Sequence, residues 1–432
     1  MEGEISLVGR ENEPRELAER RRSAWEAYRA TPMPTRRNEE WRYTDLGDLD
    51  PEDFEALVPE TEDPVALEDL PESVRGALAA DRERSAVAVQ LDGGFRYRSL
   101  EPELEGMGVI FAPIREVASR SPELLAEHLF ASGVSDAERK LWTLHVALLS
   151  DGYVLHVPRD VQVPHPVHVF HHVGRGGALV SSHSLILAGV GAEVTVIDEY
   201  VSPDLEDPTL SLAGVEIFGA ESSTVRYLSL QRYGAGIRHF AMQHATTRRD
   251  TSLSGCTVAL GADLARTDVT SHLEGSGSDS EMLALWFGDG SQHFDHQTVQ
   301  HHAAPSAHSD LLYKGALTGK ASSVFRGLIR VEPGAQLTDA YQTNRNLLLS
   351  RDANATTLPN LEIQADDVRC SHGATVGQVD ETQLFYLMSR GLSRRQAERL
   401  LVFGFFHEVL ERVPVAGVRD RIRESIERKI GI

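Results

Sequence analysis

Ser184-Leu185-Ile186-Leu187-Ala188, then Gly189-Val190-Gly191-Ala192, then Glu193-Val194-Thr195-Val196-Ile197: two short runs rich in branched apolar residues meet at a corner of small side chains. The pattern returns along the chain. Residues 215–218 precede Gly219-Ala220, 257–260 precede Gly261-Ala262, and 324–331 precede Gly334-Ala335. From about 152 to 377 almost nothing carries a helical period, and short β-branched or aromatic segments follow one another between small-residue corners. Such a stretch suits a β-solenoid, a sandwich or a propeller. Small corners favour a parallel β-helix, whose rungs stack directly on one another, but the spacing is too irregular for a strict repeat. The pattern alone leaves β-helix and sandwich open.

Outward from this core the period changes. Residues 11–30 read as an amphipathic helix stopped by Thr31-Pro32-Met33-Pro34, and residues 50–72 as an acidic, solvated linker. Residues 87–97 read as strand, turn at Asp92-Gly93-Gly94, and strand; about 113–149 reads as a helical insertion opened by Ser121-Pro122. The last segment is helical again, with a capping box at Ser393-Arg394-Arg395-Gln396 and an expected stop at Pro414. The expected organisation is therefore mainly β with flanking α: a helical region and acidic linker over 1–84, a β core over 85–378, and a helical domain over 379–432. In the last helix Ala397, Leu400, Leu401, Phe405 and Val409 form one stripe, while Phe403 and Phe406 fall off it. That surplus fits either a helix wedged among its own elements or one that docks a partner.

The 432 residues carry 43 Lys+Arg against 65 Asp+Glu, a formal charge of −22. This excludes non-specific binding to nucleic acid or anionic membrane, which needs a basic face. Only four of the basic residues are lysine, which fits a salt-rich cytoplasm or a GC-rich genome equally. No leader or membrane span is read from the sequence, and two cysteines, Cys256 and Cys370, suit a reducing compartment, so a cytoplasmic protein is expected. Two thiols cannot alone supply the four of an ordinary iron–sulfur or all-cysteine zinc site. Residues 315–321 only superficially resemble a phosphate loop: three residues separate the glycines and Ala321 follows Lys320, so nucleotide binding is rejected.

Fifteen of the 18 histidines lie between His145 and His308. On alternating strands they read mostly as polar surface, with His293-x-x-His296 a chelating spacing only if other ligands converge. Cys370 and His372 are different: with one residue between them they share a strand face about 7 Å apart. An imidazolium there would favour the thiolate, suiting a nucleophile, a persulfide carrier or a soft-metal ligand.

The surrounding sequence is more specific than that pair. Residues 339–350 (Asp-Ala-Tyr-Gln-Thr-Asn-Arg-Asn-Leu-Leu-Leu-Ser), Pro359-Asn360-Leu361-Glu362-Ile363, and 365–377 around Arg369-Cys370-Ser371-His372-Gly373 closely resemble the C-terminal core of the SufB/SufD family, scaffold subunits of the SUF iron–sulfur assembly machine. Asp295-His296-Gln297-Thr298, Tyr313-Lys314-Gly315 and the N-terminal Asn38-Glu39-Glu40-Trp41-Arg42-Tyr43-Thr44 resemble it too. The SufD branch is the better match: residues 355–360 hold no cysteine where SufB carries a functional one, and Cys370-Ser371-His372 matches the SufD pattern.

The resemblance implies a right-handed parallel β-helix and a non-catalytic scaffold. It implies that Cys370 and His372 sit at an interface with SufB where a transient cluster forms, none being held tightly by the isolated chain. A SufC-like ATPase would dock on the C-terminal helices, where the apolar Leu400, Leu401, Phe403, Phe405 and Phe406 lie; sulfur-donor proteins are further partners, and homodimers can form without the paralogue. Two other classes compete. A β-helix carbohydrate-active enzyme would need a convergent acid pair, and a self-contained cysteine enzyme would need a third residue to orient His372.

Overall fold

The computed structural model describes residues 14–58, 64–135, 138–413 and 415–431, so residues 1–13 and the stop expected at Pro414 lie outside the described residues. The chain opens with α1 (Arg15–Ala30), a two-residue strand β1 (Glu55–Ala56) and α2 (Glu72–Ala80). The hairpin β2 (Ala86–Leu91) and β3 (Gly94–Leu100) turns at Asp92 and Gly93, both at positive φ, which matches the right-handed twist of the flanking strands. Then come α3 (Pro102–Gly106), β4 (Ile110–Pro113), α4 (Ile114–Arg120), α5 (Pro122–Ala126) and α6 (Arg139–Ala147). The stretch 50–72 is more than a solvated linker: β1 pairs with the solenoid, and Leu57 and Leu70 are buried.

From Asp151 the strands alternate between two sheets. One takes β5 (Asp151–Val157), β7 (Ala178–Ala188), β9 (Thr209–Gly219), β11 (Ile237–Thr247), β13 (Leu264–Leu273), β15 (His293–His302), β17 (Ser322–Val331) and β19 (Asn354–Ile363). The other takes β6 (Val167–His172), β8 (Glu193–Val201), β10 (Thr224–Arg232), β12 (Ser252–Ala259), β14 (Asp279–Gly288), β16 (His308–Leu317), β18 (Asp339–Leu348) and β20 (Arg369–Gln378). Within this run each strand pairs in parallel with the strand two later, giving a parallel β-solenoid of about eight turns. At the corners bulk is forbidden by the rung below: a Cβ on Gly261 would lie 1.9 Å from the Tyr233 carbonyl oxygen. The chain continues into α7 (Glu381–Ser389), α8 (Arg394–Leu410) and α9 (Ala416–Ile430), and Ser393 with Gln396 forms the expected capping box.

Inward side chains such as Tyr153, Ile186, Trp286, Phe294 and Phe325 fill the solenoid. Both outer faces are also largely covered. Helix α6 and the N-terminal segment lie on Leu179, Leu210, Phe240 and Met242 of one sheet, and α8 and α9 lie on Leu228, Leu283, Leu285 and Leu312 of the other. Buried ion pairs fasten both covers. Arg421 of α9 reaches Asp81 at 2.6 Å and Glu199 at 3.0 Å, and Glu199 also binds His168 and Arg232. Burial works to raise the Glu199 pKa, but the hydrogen bond to His168 and the charges of Arg232 and Arg421 hold it far below the usual carboxylate range. On the other face Arg266 donates to Asp268 at 2.8 Å, to Asp295 at 2.9 Å and to the Glu40 carbonyl, with Trp41 stacked 3.8 Å over its guanidinium. The Thr44 hydroxyl completes the knot by donating to Asp295. The two separated motifs around Trp41 and Asp295 thus form one structural clasp.

The covers bury some histidines and the solenoid interior buries others, which overturns the reading of histidines as polar surface. Eight are buried, among them His145, His183, His244 and His296. Beneath α6, Ser181 Oγ lies 2.7 Å from His145 Nδ1, His145 Nε2 lies 3.0 Å from His183 Nδ1, and His183 Nε2 lies 3.1 Å from Glu216. His244 meets Glu138 at 3.1 Å.

The two ends of the solenoid differ. At the start, β4 runs antiparallel to β5 and the β2–β3 hairpin extends the other sheet beyond β6, so the first rung is covered. At the finish β19 and β20 each pair on one side only. Two ten-residue strand edges lie open there, side by side.

Candidate functional site

Cys370 and His372 belong to this last rung. Cys370 stacks in register on Ala340 and His372 on Gln342, and the parallel pairing turns all four side chains toward the solenoid interior. The end is open, so interior positions of the final rung meet solvent: His372, Leu361, Ile363 and Val376 are exposed, while Cys370 is half-buried against Ile329, Val331 and Ala340. The two residues therefore line a mouth with an apolar wall and a rim of free backbone donors and acceptors.

The thiol is not activated as the Cys-x-His spacing suggested. Burial pushes the Cys370 pKa up and the Asp339 carboxylate adds to this, against a smaller opposing hydrogen bond from the Ala340 backbone. Among the described residues no group of three or more His, Cys, Asp or Glu is placed to hold a metal ion, so the His293–His296 spacing does not assemble a site. His293 instead contacts Thr44 and Ser322, and His296 points inward against Trp286. Cys256 lies on the outer face of β12 beneath α8 and α9, where burial and then Glu281 push its thiol up to about 12, a small hydrophobe in practice. Gly315 of the rejected phosphate loop is inside the solenoid, packed on Trp286.

The five apolar residues of α8 do not share one surface. Phe406 is fully buried against the solenoid together with Val402, Val409 and Leu410, which corrects its assignment to a docking face. Leu401, Phe403 and Phe405 are half-buried, and Leu400 is exposed. The off-stripe aromatics are explained by α8 lying between β14, β16 and α9. The larger apolar surface is on α7, where Phe385 is 73% exposed and Tyr386 56%, with Met388 beside them. Sequence reasoning passed over it, although adjacent aromatics cannot both share the buried side of Leu384 on one helix.

The sequence matches a known family over most of its length. The family model described as the SufBD core domain of the SUF system for FeS cluster assembly matches residues 170–405, and that of the SufBD protein N-terminal region matches 7–169. The chain belongs to the SufBD family of iron–sulfur cluster assembly proteins. Among its SufBD relatives, the iron–sulfur cluster assembly protein SufD of Bacillus subtilis is 32% identical over 370 residues, 84% of each chain. A SufBD family protein of Synechocystis is 30% identical over 427 residues, covering 95% of this chain and 90% of its own. One from Pyrococcus horikoshii is 29% identical over 372 residues, covering 84% and 82%. No described helix is long and apolar enough to cross a membrane.

Proposed function

We propose that this chain is a non-catalytic, cytoplasmic scaffold subunit that pairs its open solenoid end with a SufB-type paralogue, so that a transient iron–sulfur cluster forms on Cys370, His372 and ligands from the partner. The observation that carries this reading is the coincidence of Cys370 and His372 with the two unpaired strand edges at one end of the solenoid. Strand edges are templates for another chain, and a thiol with one imidazole is half of a tetrahedral shell. A SufC-like ATPase docks on the C-terminal helices, where Phe385, Tyr386 and Leu400 are exposed, and sulfur-donor proteins supply the complex. Where the paralogue is absent, the same edges serve a homodimer.

Arg369 and Val379 donate their N–H groups to β18, so by the period of two the Ala374 N–H points to the open edge. Ala374→Pro removes an outward donor without breaking the existing ladder. The variant is expected to fold and to keep the ATPase in co-purification while losing the paralogue by at least about tenfold, the equivalent of one edge hydrogen bond and its steric fit. Unchanged pairing with the paralogue would refute the use of this edge.

A further inference from the structure

Directly beneath His372 lies a polar group that the fold does not use. Gln342 stacks in register under His372, is 0% exposed, and neither its Nε2 nor its Oε1 has a hydrogen-bond partner among the described residues. Its amide has been given room. Across the interior on β17, a Cβ at Gly327 would fall 2.0 Å from Gln342 Nε2 and 2.8 Å from the Phe325 ring. The amide therefore fills the space a side chain at 327 would take, under Pro359, which stacks on Gly327 in the last rung. Thr357, stacked on Phe325 in that rung, likewise presents a buried hydroxyl without a partner.

Leaving a buried amide unpaired costs more than a leucine of similar size would. Other buried polar atoms of the described residues also lack a partner, but Gln342 is the one that stacks in register directly beneath His372 with both ends of its amide unpaired. The arrangement also has a direction: the Gln342 amide lies one rung below the thiol and imidazole, and the Thr357 hydroxyl lies in their own rung.

We propose that the Gln342 amide is the floor of the cargo site and the Thr357 hydroxyl part of its wall, donating N–H and O–H hydrogen bonds to sulfide ions of the nascent cluster held by Cys370 and His372. This rests on the shared-cluster reading given above. Donors to cluster sulfides set cluster stability and potential, and a ligand's supporting contacts are commonly worth tenfold or more in metal affinity.

The test uses the complete complex, with iron and sulfide supplied anaerobically. Gln342→Leu should leave the complex assembled and raise the subunit's melting temperature by about 2 °C, because an unpaired polar group has gone. It should shorten the lifetime of the cluster's visible absorption about tenfold. Gln342→Met, equally long and more adaptable, guards against a packing defect and should behave alike. A wild-type lifetime in both variants, with Cys370→Ala still losing the cluster, would overturn the floor and leave the shared site standing. A wild-type lifetime in Cys370→Ala as well would overturn both. If the amide held only an ordered water, the Leu and Met variants would alter melting temperature alone, which also overturns the proposal.

Discussion

Arg266→Met is expected to destabilise the protein by about 3 kcal/mol or more, because it strips the counter-charge from two buried carboxylates at once. The guanidinium is 1% exposed, binds Asp268 and Asp295, and carries Trp41 on its face, so the substitution also removes the stacking that fastens residues 38–44 to the sheet. Burial raises Asp268 to about 6 even with the guanidinium alongside. Without it that carboxyl would stay protonated near neutral pH, which keeps the cost toward the lower part of the 3–5 kcal/mol range for broken buried pairs. Arg330→Met removes an arginine of the same type from an exposed pair with Glu362 and should cost less than about 1 kcal/mol. Urea unfolding midpoints compare the two; near-equal values would contradict the clasp.

Acid should unfold this protein steeply between about pH 6 and pH 4. Burial depresses His145 well below the usual imidazole range, with His183 adding to it. Burial likewise lowers His239 to about 3, and His296 and His302 to about 4. These four rings stay neutral in the fold and take up protons once the chain unfolds, so below pH 6.5 the unfolded state binds more protons and stability falls as pH falls. At one proton each, four rings give about 5 kcal/mol per pH unit, comparable to the lower end of total domain stability. His244 behaves oppositely: burial lowers it, but the hydrogen bond and charge of Glu138 raise it above the ordinary value, so its contribution is complete below 6.5 and is lost only as pH rises past that. His296→Phe, which keeps an aromatic ring against Trp286, should remove about one proton from the uptake on unfolding and flatten the slope by about a quarter. Melting temperature against pH reads this directly, and a change below about 1 kcal/mol per unit would contradict it.

The strands and corners were legible because branched runs and small-residue corners are local signals. The repeat was not. Leu264 stacks on His293 and His293 on Ser322, a step of 29 residues each time, but Ser322 stacks on Asn354, a step of 32. Longer corners shift the period without disturbing the sheets, so no fixed repeat survives in the sequence. Alternation correctly placed Cys370 and His372 on one face, yet it cannot tell which rung is last, and only that makes the face a mouth. The same limit misplaced the histidines. His183 and His244 do point outward from their sheet, but a cover built from α6 and the N-terminal segment around Tyr28 and Trp41 lies over them, and that contact spans too much sequence for any period to show. The apolar surplus on α8 was visible, and its destination depended on which sheet the helix met. The unpaired state of Gln342 depended on an absent side chain at Gly327, across the interior.

The central claim is that the open end of this solenoid carries half of a cluster site. It is tested most directly by anaerobic reconstitution of the complete complex containing Cys370→Ala or His372→Ala, followed by the visible absorption of the cluster. Each variant should assemble with its partners normally and yield at least about tenfold less cluster than wild type, with Cys256→Ala indistinguishable from wild type. Wild-type yields from both Cys370→Ala and His372→Ala would contradict it and leave the chain an architectural partner only.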